Sequence, residues 1–170
     1  MYVIPRFLYG IEVQVLSSTN LRKLEAFQRK ILRHLQGLPE RSSNAALYTL
    51  IGAEPIELVI ERNRMALFLN IARLPGSVEH QVLHRQLAMS NPDRNSFSTS
   101  IREILHKYNL PPSEDLLQNP PSKHQWKTTF RNATTDYWES TWKDELSIQS
   151  TAKYIQVQSP LIGHPHNLWA

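Results

Sequence analysis

Residues 19–37 read TNLRKLEAFQRKILRHLQG, and how this stretch is taken decides the fold. Leu21, Leu24, Phe27, Ile31 and Leu35 recur at intervals of three and four, the spacing of one helix face. Thr19 or Asn20 is placed to cap the start, Gly37 to end it, and Pro39 lies just beyond. The pattern predicts a helix that turns its leucine–phenylalanine stripe toward a core. Its polar residues fall in two rows away from that stripe: Arg22, Arg29 and Arg33 in one, Lys23, Lys30 and His34 in the next, with Glu25 the single acid among them.

The same periodicity continues on both sides. Before it, MYVIPRFLYGIEVQVL carries Ile4, Phe7, Leu8 and Ile11 at helical spacing, with Pro5 tolerated in a first turn. Beyond it, SSNAALYTLIGAEP predicts a short helix capped by Ser42 or Ser43 and ended by Gly52. Pro55 sits where a first-position proline belongs, opening a helix that runs to about residue 73, before Pro75-Gly76. Ser77 begins another, which carries Val78, Val82, Leu83 and Leu87. SNPDRNS is a loop by composition, after which Ile101, Ile104, Leu105 and Tyr108 mark a helix halted at Pro111-Pro112. SEDLLQ makes a turn or two. From Ser122, a stripe of Trp126, Phe130, Ala133, Tyr137, Trp138, Trp142 and Leu146 predicts a long helix. The expected architecture is all-α, six or seven helices with short Pro- and Gly-punctuated loops and no substantial sheet. Charge and composition change near 91–97, dividing the chain into a basic helical region (1–90), a helical region with the aromatic-rich helix (91–150) and a tail (151–170).

Composition bounds the function classes. The 170 residues are 41% hydrophobic and 20% charged, enough apolar material for a core. With no Cys there is no disulfide, thiolate zinc site or Cys nucleophile, which fits a reducing compartment. No window approaches the eighteen or so apolar residues of a membrane span, and the opening run is broken by Pro5, Arg6, Gly10 and Glu12 in a way no secretory signal is. A soluble intracellular protein, in cytoplasm or nucleus, is the expectation. The net charge of +4 sits in the first half: residues 1–90 carry eleven Lys/Arg against seven Asp/Glu, residues 91–170 eight of each. A field of that sign favours anionic partners.

Candidate chemistry concentrates on the basic rows. Arg22, Lys23, Arg29, Lys30 and Arg33 in register on a rod suit a phosphate backbone, where each contact releases a counterion. The solvated face of an amphipathic helix accounts for the same rows without a ligand. His80 and His84, four apart, could offer two imidazoles to a metal, but no third ligand is evident; two surface histidines are the simpler account. Trp126, Phe130, Tyr137, Trp138 and Trp142 read as helix–helix packing, with a base-stacking platform as the alternative and Tyr137 or Trp142 as the residues expected to be partly exposed. No Gly-rich phosphate loop and no Gly-x-Ser-x-Gly is present, and the acidic pairs Glu114-Asp115 and Asp144-Glu145 are adjacent, so on a helix they diverge. Neither a catalytic set, a metal nor a cofactor is expected.

Taken together, IPRFLYGIEVQ (4–14), LRKLEAFQRKILRHLQGLPERSSNAALYTLIGAEPIE (21–57), KYNLPPSEDLL (107–117) and QWKTTFRNATTDYWES (125–140) resemble the region that follows the polymerase palm in LINE-type (non-LTR) retrotransposon reverse transcriptases. The resemblance spans roughly residues 1–155. It implies a thumb and a helical linker that pack against a palm and hold a template–primer duplex. On that footing the five basic residues contact nucleic acid, and the missing palm is a packing partner. The Tyr-x-Asp-Asp signature of the polymerase occurs nowhere in the sequence, so no polymerase activity is expected of this chain alone. The abrupt apolar opening then reads as the point where palm hands over to thumb, and the chain as a non-catalytic fragment of such an enzyme. A helical protein–protein interaction module that docks through the apolar opening segment is the alternative.

Overall fold

The apolar runs end where their capping residues say they should. The computed structural model describes residues 9–89 and 96–148, and 74% of these are helical, in seven helices, with no strand among them. In chain order they are α1 (Ser18–Gln36), α2 (Asn44–Ile51), α3 (Ile56–Ala72), α4 (Val78–Met89), α5 (Phe97–Lys107), α6 (Ser113–Gln118) and α7 (Lys123–Ile148). The fold is all-α.

Most boundaries have a local cause, but α1 begins at Ser18, so Thr19 and Asn20, expected to cap it, lie inside the helix, and α6 starts after Pro112 with no side-chain cap. At the end of α1, Gly37 takes φ 62°, and Leu38 N donates to Arg33 O at 3.0 Å, closing the last turn. Of the two candidate caps for α2 it is Ser43 that serves, its hydroxyl accepting from Ala46 N, while Gly52 at φ 67° ends the helix. Pro55 lies one residue ahead of α3 and contributes its carbonyl to Val59 N at 3.2 Å. Ser77 Oγ accepts from His80 N at the start of α4, and Ser96 Oγ from Thr99 N at the start of α5. Ser122 and Gln125 exchange bonds at the start of α7, Gln125 N to Ser122 Oγ and Ser122 N to Gln125 Oε1, the reciprocal arrangement of a capping box.

The opening run differs from expectation where it is described. Residues 9–13 form turns rather than helix, and Ile11 is buried, while Tyr9, Val13 and Val15 face solvent. The cause is local: Gly10 takes φ 77°, outside the helical region, and the ensuing turn bonds run Val13 N to Gly10 O and Gln14 N to Ile11 O. Ile4, Phe7 and Leu8, residues 90–95 of the expected loop, and residues 149–170 with the tail lie outside the described residues.

The chain forms two compact units that interleave in sequence. Among the described residues one comprises 9–17, 60–89 and 96–133, the other 18–59 and 134–148, so the divisions fall inside α3 and α7. The first unit buries Met65, Phe68 and Leu69 of α3, Ile101 and Leu105 of α5, and Trp126 and Phe130 of α7. Inside it Glu61 is almost fully buried, yet not isolated: Tyr108 Oη donates to one carboxylate oxygen and Lys107 Nζ to the other at 2.9 Å. A buried carboxylate is tolerated only when paired in this way. The second unit is built on Ala45, Tyr48, Trp142 and Leu146, against which Leu32, Ala46, Ala53 and Trp138 pack. Tyr48 and Trp142 stack in parallel and offset, with ring centroids 5.6 Å apart and planes within 5°. Among the described residues no helix is long and apolar enough to cross a membrane.

Candidate nucleic-acid interface

In α1 the packed face is not the apolar stripe. Phe27, Ile31 and Leu35 are 57%, 43% and 68% exposed, while Gln28, Leu32 and Gln36 turn inward with Leu21 and Leu24 partly covered. At about 100° per residue, the helix is rotated by roughly a quarter-turn from the orientation its hydrophobic pattern predicts.

Hydrogen bonding explains the rotation. Gln28 Nε2 donates to Glu54 O at 2.8 Å, and its Oε1 accepts from Ile56 N at 2.8 Å and from Tyr48 Oη at 3.1 Å. Ile56 is the first residue of α3, where backbone amides have no intrahelical partner, so a side-chain acceptor there satisfies an obligatory donor. Gln36 Nε2 donates to Leu47 O, inside α2, at 3.0 Å. Arg33 Nη2 reaches Ser42 O at 3.1 Å and Asn44 Oδ1 at 2.9 Å. Neighbouring backbone groups recruit the polar side of α1, and only Leu32 of its central apolar residues joins the Tyr48–Trp142 cluster.

Five basic residues were the candidates for contact with a phosphate backbone, and the structure separates them. Arg33 is committed to the segment leading into α2. Arg29 is half-buried and bonds Glu25 Oε2 at 3.4 Å, one turn back on the same helix. Its guanidinium also bears on Tyr48, where it works against burial, which pushes the phenol above its ordinary 10.0. Arg22, Lys23 and Lys30 are exposed and engage no partner among the described residues. Lys23 and Lys30, seven residues apart, point in nearly the same direction, and His34 continues their line. Phe27 lies between them, and Ile31 follows one turn on. The helix's one acid, Glu25, is turned in toward Arg29, leaving an outer face that carries cations and apolar side chains and no carboxylate.

Three of these features could not be anticipated from periodicity. The roles of Gln28 and Gln36 depend on which backbone groups come close, and glutamine at such positions carries no sequence signal. Glu145 is the third: its Oε1 accepts from Ser43 Oγ (2.9 Å), Asn44 N (3.1 Å) and Ala45 N (3.3 Å), capping α2 from 100 residues away. A carboxylate at a helix N-terminus is favoured by the helix dipole as well as by the bonds.

The other candidate groups take ordinary positions. Trp126, Phe130 and Trp142 are buried, Trp138 is half-buried and Tyr137 is exposed, so of the two residues expected to be partly exposed Tyr137 is and Trp142 is not. His84 is exposed and His80 half-buried on α4, and among the described residues no three His, Asp or Glu side chains gather as a metal-holding group. No known protein family, curated protein or solved structure matches the chain.

Proposed function

We propose that this chain is a non-catalytic helical module of the thumb-and-linker type found in LINE-like reverse transcriptases, acting inside the cell, and that α1 grips nucleic-acid backbone through Arg22, Lys23 and Lys30. The observation that carries the reading is the exposed surface of α1: Lys23 and Lys30 on its outer face and Arg22 at its edge, all three in solvent, without internal partners among the described residues and with no acid among them. Cations held on a rigid rod gain affinity for a polyphosphate chiefly by releasing its condensed counterions, a gain that depends on charge and not on base sequence. Arg33 supports this surface from behind by tying α1 to Ser42 and Asn44, and Arg29 by holding Glu25 away from the cations, rather than by touching the ligand.

The test is binding of a labelled RNA–DNA hybrid by the full chain and by Arg22→Ala/Lys23→Ala/Lys30→Ala, across a series of salt concentrations. Wild type should lose affinity steeply as salt rises. The triple variant should bind more weakly, with a salt slope lower by about 0.9 for each cation removed, or about 2.7 in all. Equal affinity and equal slope for the two proteins would refute the reading.

A second reading is kept by one observation. Tyr9, Val13 and Val15 are 91%, 62% and 42% exposed in the segment where the resemblance expects palm to meet thumb. In that reading the chain is a protein–protein interaction module whose partner is a palm-type polymerase domain covering these side chains. Gel filtration of the chain with and without such a domain separates the readings. Co-elution that is lost on Val13→Asp, with no retention of nucleic acid, favours the second.

A further inference from the structure

Phe27 is the feature that backbone binding leaves unexplained. A helix that needed only cations on its outer face would have no use for a phenyl ring there, and one that followed its own apolar pattern would have buried it. Instead the ring is 57% exposed, with Lys23 one turn before it and Lys30 one turn after. The two lysines stand roughly 10 Å apart along the axis, and the ring sits midway. Ile31, 43% exposed, continues the apolar surface beside Lys30.

Cation, aromatic, cation on one rigid face is the arrangement by which proteins hold single strands: lysines take the phosphates, and a base stacks on the ring. A duplex presents phosphates to the same lysines, but its bases are already stacked on one another and offer no free face to a ring on a convex helix. An acidic peptide would satisfy the lysines, yet it has no use for a flat aromatic surface midway between them. From this placement we infer that α1 is a single-strand site, in which Phe27 stacks an unpaired nucleobase while Lys23 and Lys30 hold the phosphates on either side. The inference rests on the nucleic-acid reading above and adds to it the class of strand and the group that recognises it. RNA and DNA share the chemistry that the face recognises.

The experiment uses the full chain and four fluorescent probes of equal length: oligo(U), oligo(dT), an abasic deoxyribose-phosphate strand and a DNA duplex, all at one low salt concentration. Wild type should bind oligo(U) or oligo(dT) roughly tenfold more tightly than the abasic strand, which keeps every phosphate and lacks only the bases. Phe27→Ala should bring the single strands down to the abasic level and leave abasic and duplex binding unchanged. Phe27→Tyr, which keeps a stacking face, should restore the preference. Tighter binding of oligo(U) than oligo(dT) assigns the site to RNA, and the reverse assigns it to DNA. Phe27 is exposed, so the alanine variant keeps its fold, and an unchanged circular-dichroism spectrum verifies that. Equal affinity for abasic and base-bearing strands, or a preference for duplex, would overturn the inference while leaving backbone binding standing. Failure to bind all four probes would overturn both.

Discussion

The rotated setting of α1 makes a prediction opposite to the one its sequence makes, and a pair of substitutions separates them. If the stripe Leu24/Phe27/Ile31 were the packed face, Phe27→Ser would cost about 3–5 kcal/mol, the usual loss for removing a buried phenyl. Gln28→Leu would then be nearly neutral. The structure reverses both. Phe27 is more than half exposed, and Phe and Ser have similar helix propensity, so Phe27→Ser should fall within about 0.5 kcal/mol of wild type. Gln28→Leu removes three hydrogen bonds and leaves Glu54 O and Ile56 N without their side-chain partner in a half-buried setting. At about 1 kcal/mol for each bond lost, less about 1 kcal/mol for the apolar burial a leucine gains, the net loss is about 2 kcal/mol. In a chain of this size that lowers Tm by about 4–8 °C. Urea denaturation followed by circular dichroism reads both variants, provided that the slope m is unchanged, so that the midpoint reports stability. A destabilised Phe27→Ser beside a neutral Gln28→Leu would refute the described setting of α1, and the exposed basic–aromatic face with it.

Two further outcomes follow from the second unit. Glu145→Ala should destabilise by about 1–2 kcal/mol, because Ser43 Oγ, Asn44 N and Ala45 N lose a charged acceptor at a helix start, whereas Glu145→Gln keeps an acceptor and should recover about half of that loss. Equal stability of wild type and both variants in a thermal melt would show that water replaces the cap. The phenol of Tyr48, raised above 10.0 by burial, keeps its proton to higher pH in the folded chain than in the unfolded one. Its contribution is therefore complete below pH 10 and is lost as pH rises from there through the folded value. The stability difference between wild type and Tyr48→Phe, measured by urea denaturation from pH 8 upward, should hold constant to about pH 10 and then shift against wild type. A difference that stays flat above pH 10 would contradict the burial of that hydroxyl.

Helix boundaries are set by local chemistry, and the local chemistry is written in the chain. Ser43, Ser77, Ser96 and Ser122 accept the first free amides, and Gly37 and Gly52 supply the left-handed residue that ends a helix. The aromatic stripe of α7 also survives in part into the structure: Trp126, Phe130 and Trp142 are buried, while Tyr137 stays exposed. What tertiary structure decided was the direction in which α1 faces. A hydrophobic pattern assigns a packed side on the assumption that the neighbours offer apolar surface. Here the neighbours also offer backbone carbonyls and an unpaired helix-start amide, and these draw Gln28, Arg33 and Gln36 inward. That choice takes Arg33 out of the candidate interface and sets Phe27 between Lys23 and Lys30. The identities of the cationic residues were legible in sequence order. Which of them stand free in solvent, and beside what, depended on partners 9 to 28 residues away, for which periodicity carries no information.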